Sequence, residues 1–352
     1  MEDWERIIEK IELFRPDQKV FIWGAGNTSI LNHQGMNREN LYQELRVEAF
    51  IDSKLAGTII YGFPVFQPKV LDEMNPREQF VLISTTNHRV FHEIKSICDK
   101  KGISCCHLDA AILKLCKDKF IQTLNLLDTE SRILFNKLLK YRASCSNKYG
   151  SIFDGESYFG IPAFCCCSPN DIIVDCGAYV GDSAERYIWK MNQFKQYIAI
   201  EPDIDNFSAM QKRFKRLREE WNLPGEKLVA IHCGVDEMTR VMNLERRVNG
   251  LGSIAGEVEK FDDTTVQFWA LDDLMPKGFS FLKADIESYE YRMLQGTRKI
   301  IRNFHPRIAV CIYHSMVDMF SIPQLVHEIE PSYHLSVRHH SYCYEETVLY
   351  AY

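Results

Sequence analysis

Residues 171–203 read DIIVDCGAYVGDSAERYIWKMNQFKQYIAIEPD, and the rest of the chain is organised around them. Ile172, Ile173 and Val174 form a short apolar run that ends at Asp175-Cys176-Gly177, as a buried parallel strand does. Gly177 and Gly181 let the backbone turn tightly and approach a ligand closely, where a Cβ would stand in the way. The spacing predicts a crossover helix over 183–195 and a second buried strand over 197–200, ending at Glu201-Pro202-Asp203. Glu201 follows Gly181 by 20 residues, the separation at which an acidic side chain meets ribose hydroxyls in a βαβ nucleotide unit.

A dinucleotide fingerprint requires G-x-G-x-x-G, but here three residues separate the glycines and Tyr179 stands where the second glycine would fall. Asp175 and Asp182 bracket the turn with negative charge. That disfavours a pyrophosphate and suits a cation, such as the sulfonium and amino group of S-adenosylmethionine (SAM). The DCGAYVGD and IEPD pair resembles motifs I and II of the class I SAM-dependent methyltransferases. The bland alternative is an ordinary βαβ unit without a ligand. The resemblance implies SAM contacts from Asp175, Gly177, Ala178, Tyr179, Gly181, Asp182, Ser183, Glu201, Pro202 and Asp203, and further along from Gly234, Val235 and Asp285.

With 352 residues the chain has room for two domains, and 46% apolar with 26% charged residues is ordinary for globular protein. A net charge of −6 without a long basic block argues against nucleic acid or an anionic membrane as partner. No long apolar run is present, and the opening MEDWERIIEK reads as a charged amphipathic helix rather than a signal peptide, so a cytoplasmic location without membrane insertion is expected. The 12 cysteines are scattered without paired zinc spacing and are expected to be reduced thiols. The run Cys165-Cys166-Cys167 is read as small buried residues in preference to a metal site.

Ahead of the central stretch, residues 1–110 alternate strand and helix patterns: strands over 19–23, 47–51, 79–83 and 104–108, with helical stretches between them. Gly24-Ala25-Gly26-Asn27-Thr28-Ser29 with Asp52 at the second strand end is a partial nucleotide fingerprint, and with the GFPV turn it resembles small Rossmann-like domains of sugar-modifying enzymes. Two readings stand: binding of a nucleotide sugar or related ligand, or a degenerate domain for packing or oligomerisation, the second being preferred. A homo-oligomer stays open. Residues 111–150 are expected to be a helical connector between this domain and the one over 151–352.

Beyond the central stretch, strands are expected over 228–232, 279–284 and 307–312, each ending in polar residues: Cys233 to Asp236, Asp285 to Glu287, and Tyr313-His314. Residues 241–270 read as a flexible insertion whose segment 249–253 suits a substrate lid, an ordinary mobile loop being the alternative. The tail reads as two antiparallel strands, over 333–338 and 347–350. The expected fold is α/β: a class I methyltransferase Rossmann-like doubly wound sheet with a second, smaller N-terminal α/β Rossmann-like domain. Ligands of such a sheet lie beyond the carboxyl ends of the strands.

KADIESYEYRMLQG resembles the K-x-D-[IV]-E-G-x-E signature of FkbM-type methyltransferases, and IYH, D and IP followed by a closing ETVLYA strand resemble one of their subgroups. The likeness covers roughly 150–352 and departs at Ser288, where that family usually has glycine. It implies O-methylation of a sugar hydroxyl, in a nucleotide sugar, a surface glycan or a natural-product glycoside. A sugar hydroxyl is a weak nucleophile, so a base or a metal must assist. His314 is suited to take the proton, and Asp285 to orient the hydroxyl, hold the SAM amino group or ligate an ion. A metal reading joins Asp285 and Glu287 with His314 or Asp318 around Mg, Mn or Fe. Ser253, Glu287, Tyr313 and His339 are the expected substrate contacts, whereas Glu290 is read as capping the helix that follows it. Two rival functions remain: a nucleotide-sugar oxidoreductase or epimerase using the N-terminal G-x-G, and a non-catalytic scaffold. N-methylation of a small amine is an alternative within the first class.

Overall fold

The computed structural model describes residues 2–155, 157–191, 193–246, 253–256 and 264–352. The chain divides into two compact units. The first comprises Met1–Phe153 with two later segments, Tyr313–Ser321 and His339–Thr347; the second comprises Asp154–Ile312, Ile322–Arg338 and Val348–Tyr352.

In the first unit, apolar runs bounded by glycine or polar residues form six strands: β1 (Lys19–Trp23), β2 (Val47–Ile51), β3 (Ile59–Ile60), β4 (Phe63–Phe66), β5 (Gln79–Ile83) and β6 (Ser104–His107). Their order in the sheet is β3-β4-β2-β1-β5-β6. β1 lies between β2 and β5, parallel to both, and buries all but its first residue, which explains its unbroken apolar run VFIW. The stretch expected as a connector forms the helices Leu108–Leu115, Lys117–Leu126 and Thr129–Ala143, and it belongs to this unit. Their phasing follows the apolar residues at three- and four-residue steps, with Phe120, Phe135, Leu138 and Leu139 all buried. The N-terminal helix spans Asp3–Glu9, within the opening stretch read as helical.

The second unit holds two sheets. Its main strands are β7 (Ile172–Cys176), β8 (Gln196–Ile200) and β9 (Leu228–Ile231). A four-stranded sheet follows, built from β10 (Gly234–Val235), β11 (Arg240–Arg246), β12 (Ser253–Gly256) and β13 (Thr265–Trp269) in the order β10-β13-β11-β12. The main sheet is completed by β14 (Phe281–Ala284), β15 (Arg307–Cys311), β16 (Leu335–His339) and β17 (Thr347–Ala351), giving β16-β17-β15-β14-β7-β8-β9. β7, β8, β9, β14 and β15 run parallel, while β17 returns antiparallel beside β15. The first strand in sequence, β7, thus sits at the centre and the chain steps outward first to one side and then to the other. That reversal makes a switch point beside β7, where open α/β sheets place their ligands.

The expected flexible insertion over 241–270 is in part this second sheet. Its anchor is Asp236, which is fully buried and binds Arg240 at 2.6 Å and Arg292 at 2.6 Å. The sequence hid this sheet because its alternation is short and its ion-pair anchor is 56 residues apart. Residues 249–252 of the expected lid lie outside the described residues, while Ser253 opens β12. The cysteine run is also a correction: Cys165 and Cys166 are exposed and Cys167 is half-buried. Arg307 holds the run in place by donating to the Ala163 and Cys166 carbonyls while pairing with Asp171 at 2.9 Å.

Candidate active site at the end of the second unit's sheet

The turn after β7 is built from backbone groups. Gly177 has φ +73°, and a Cβ there would lie 1.9 Å from the Asp285 carbonyl oxygen. Only glycine lets the β7 and β14 ends approach this closely. Gly181 also sits in the left-handed region, at φ +79°, and begins the helix Asp182–Lys190; a Cβ there would press on Met210 and Phe214 at 3.1 Å. The Gly177 and Ala178 amides both donate to the Ile200 carbonyl, and the Gly181 amide donates to Ala178, closing the loop on itself. Tyr179 is a non-glycine residue at φ +50°, with its ring partly exposed. Ser183 is buried in the first turn of the helix and Asp182 is exposed there.

Asp175 lies below this loop. It is fully buried, accepts a hydrogen bond from the Tyr197 hydroxyl at 2.7 Å and meets the Lys283 ammonium at 2.8 Å. Lys283 also donates to the Gly177 carbonyl at 3.0 Å. Burial would lower the Lys283 pKa, but the Asp175 and Asp285 carboxylates outweigh it and hold the ammonium above its ordinary value. Burial first, then the Asp175 carboxylate, pushes the Tyr197 phenol up. The negative charge expected of Asp175 toward a ligand is therefore spent on Lys283, and Asp175 acts by bracing the glycine turn. Lys283 and Tyr197 were not singled out from the sequence. Their signal was a lysine inside the buried run FLKA and a tyrosine inside YIAI.

Glu201 ends β8 with one carboxylate oxygen accepting from the Tyr179 amide and the other from the Asp203 amide, both at 2.9 Å. Burial raises its pKa to about 7 against the lowering effect of those two amides. Asp203 caps the helix Ile204–Glu220 through the Asp205 and Asn206 amides, and the Pro202 carbonyl oxygen lies 2.9 Å from His232 Nε2. Gly177, Ala178, Tyr179, Glu201 and Asp203 are thereby brought together at the ends of β7 and β8. Gly234 and Val235, expected at the cofactor, form the two-residue strand β10, and a Cβ on Gly234 would strike the Phe268 ring at 2.2 Å. Packing beside Phe268 is the role the structure gives Gly234.

Asp285 follows β14 directly and its amide donates to the Cys176 carbonyl, so it sits beside the glycine turn. The next residues turn sharply, with Glu287 at φ +60° and Ser288 at φ +73°. The left-handed backbone at Ser288 accounts for glycine being usual there in the resembling family. Glu290, expected to cap, accepts from the Ile286 amide at 2.8 Å and is fully buried at the start of the helix Glu290–Gln295.

Tyr313 and His314 follow β15, the parallel neighbour of β14, and both are buried. In the first unit the Tyr313 carbonyl accepts from Arg142 at 2.8 Å, and the Tyr313 and His314 rings lie 4.1 Å apart. His339, expected to touch substrate, is instead fully buried. Its Nδ1 bonds the Thr347 hydroxyl at 2.8 Å, Tyr149 lies 5.2 Å away ring to ring, and burial lowers its pKa to about 4. It is a neutral core histidine.

Residues 175–338 match a family model described as the methyltransferase FkbM domain. Among solved structures, methyltransferase FkbM of Methylobacillus flagellatus shares 21% identity over 96% of this chain and 90% of its own, with a TM-score of 0.58. Fibrillarin of Aeropyrum pernix, solved with natively bound SAM, aligns with 53% of this chain and 67% of its own at 12% identity and a TM-score of 0.33. No protein of curated function matches the chain. The first likeness establishes the α/β fold, and the family match covers the glycine turn, Glu201, Lys283, Asp285 and His314. Residues 175–338 match the methyltransferase FkbM domain, and by that domain the protein is a methyltransferase.

Proposed function

We propose that the protein transfers a methyl group from SAM to a hydroxyl of a sugar, carried on a nucleotide or in a glycan or glycoside. The observation that carries the SAM reading is the tight turn after β7, closed on itself by its own amides, with the Glu201 carboxylate accepting from the Tyr179 amide at its edge. When bound, SAM supplies a methyl group on a sulfonium. Glu201 accepts from ribose hydroxyls in this reading, and the turn residues Gly177, Ala178 and Tyr179 offer only backbone and aromatic surface to the cofactor. The support for a sugar hydroxyl is the match of residues 175–338 to the FkbM domain, together with a carboxylate that follows β14 and an imidazole that follows its parallel neighbour β15.

His314 accepts the hydroxyl proton as the oxygen attacks, and Asp285 orients that hydroxyl. Glu287 and Tyr313 contribute to the acceptor side. The test is mass spectrometry of a panel of nucleotide sugars incubated with protein and SAM, with and without a chelator. A product heavier by one methylene is expected. Transfer that disappears with chelator assigns a divalent ion to the reaction; the candidate ligand group then includes Glu290 in place of the expected Glu287. A protein that binds S-adenosylhomocysteine yet leaves every sugar unchanged overturns the sugar assignment.

A further inference from the structure

The first unit's nucleotide fingerprint has its polar groups already engaged. Asp52, at the position that would hold a ribose, accepts from the Ala25 amide at 3.2 Å, from Lys54 at 2.8 Å and from Leu55 at 3.2 Å. The Ser29 hydroxyl donates to the Gly24 carbonyl and lies 2.9 Å from the Ser84 hydroxyl. A Cβ at Gly24 would meet the Ser84 carbonyl oxygen at 2.4 Å, so this glycine is explained by strand packing.

The helix that follows the fingerprint, Asn27–Arg38, has a different occupation. Asn32 is fully buried; its amide donates to Thr28, and its Oδ1 accepts from the Ser315 hydroxyl at 3.1 Å and the Met316 amide at 3.4 Å. One turn on, a Cβ at Gly35 would lie 2.8 Å from Val317 Cβ and 2.9 Å from Ser315 Oγ, so the helix backbone presses directly on the segment. A further turn brings Arg38, which donates to Ser321 at 2.8 Å and pairs with Asp318 at 3.3 Å. Positions 32, 35 and 38 lie at i, i+3, i+6 and so share one helix face. From the other side, the Phe120 and Phe320 rings meet edge to face at 5.0 Å, Thr123 donates to the Phe320 carbonyl, and Arg142 donates to Tyr313. Arg142 is itself fixed by a buried 2.6 Å bond to Asp109.

We propose that this helix serves as a clamp on residues 313–321, with Asn32, Gly35 and Arg38 as positioning residues that set Tyr313 and His314 for methyl transfer. The inference rests on the assignment of His314 to the acceptor side of the proposed reaction. A displacement of about 1 Å of a reacting group costs on the order of 100-fold in rate, so a built clamp on this segment acts on turnover.

The test uses the full chain with Asn32→Leu, Asn32→Asp, Gly35→Ala and Arg38→Met, read three ways. These are turnover on the methylated acceptor, affinity for S-adenosylhomocysteine, and the methyl resonance of Met316 in protein carrying labelled methionine. Asn32→Leu keeps the branched outline of the side chain and removes both the acceptor oxygen and the amide donor; Asn32→Asp keeps that oxygen. The expected result for Asn32→Leu and Gly35→Ala is a shifted Met316 methyl and turnover lowered about 10- to 100-fold, with cofactor affinity within twofold of wild type. Asn32→Asp recovers a large part of the turnover. Wild-type activity retained by Asn32→Leu, with or without a shifted Met316 signal, overturns the proposal. So does an equal fall in cofactor affinity, which marks a general loss of fold. A wild-type chain that transfers no methyl group overturns the reaction reading, and the clamp's catalytic purpose with it; an active wild type with unaffected variants overturns the clamp alone.

Discussion

Asp175 and Lys283 face one another in register on β7 and β14, their charged atoms 2.8 Å apart with neither side chain more than 7% exposed. The pair ties the strand that carries the glycine turn to the strand that carries Asp285. Through its second bond, to the Gly177 carbonyl, Lys283 also fixes the turn itself. Removing one partner of a buried ion pair leaves a charge without compensation, which costs about 3–5 kcal/mol. Lys283→Met and Asp175→Asn are each expected to destabilise by that order in urea denaturation. The double variant is expected to lose less than the two singles together.

Gly177→Ala is expected to fail at the cofactor turn. The new Cβ meets the Asp285 carbonyl oxygen at 1.9 Å, and φ +73° disfavours any residue with a Cβ. The β7 and β14 ends must separate, so affinity for S-adenosylhomocysteine should fall at least about tenfold, or roughly 1.4 kcal/mol. Calorimetric titration of the variant checks it.

Ser288 offers the opposite experiment. It holds φ +73° and is buried, and its hydroxyl has no hydrogen-bond partner among the described residues. Ser288→Gly relieves a left-handed conformation that costs an L-residue about 1–2 kcal/mol and removes a buried hydroxyl. A stability gain of about 1 kcal/mol is expected in denaturant unfolding, offset in part by the greater freedom of glycine in the unfolded chain.

Glu201 sets a pH dependence. Burial raises its pKa from the ordinary 4.5 to about 7, so the folded state favours the protonated carboxyl. The stability this contributes is complete below about pH 4.5 and is lost as pH rises through 7. A ribose hydroxyl donates to the ionised form, so cofactor affinity should strengthen as pH rises toward 7 and level off above it. Titrations of S-adenosylhomocysteine between pH 5 and 8 would show that slope, and Glu201→Gln would flatten it.

His314→Gln and Asp285→Asn address the chemistry. Loss of a general base costs on the order of 100- to 10,000-fold in turnover, and His314→Gln should show that loss with cofactor affinity unchanged. Asp285 adjoins the glycine turn, so Asp285→Asn should lower both turnover and cofactor affinity.

Much of this was legible in the residues. The strands β1, β2 and β5 coincide with the apolar runs KVFIW, VEAFI and QFVLI, because fully buried parallel strands leave uninterrupted apolar sequence. The glycine turn was legible because left-handed dihedrals favour glycine, and Glu201 because its spacing follows from one crossover helix. The bracing role of Lys283 was not legible, since a lone lysine in a strand does not disclose a partner 108 residues earlier. The grip of Asn32, Gly35 and Arg38 on residues 315–321 joins positions some 280 residues apart, and no local pattern encodes it. His339 misled because strand alternation says which residues share a face but not that the face is covered. Within β11 to β13, ion pairs with Asp236 replace the strong alternation that would have announced a sheet.

Calorimetric titration of the wild-type chain with S-adenosylhomocysteine tests the central claim most directly. One binding site per chain, abolished by Gly177→Val, is the predicted result. A folded wild-type protein that takes up no S-adenosylhomocysteine across pH 6 to 8 would contradict the account, because the glycine turn, Glu201 and the braced Asp175–Lys283 pair would then have no cofactor to serve.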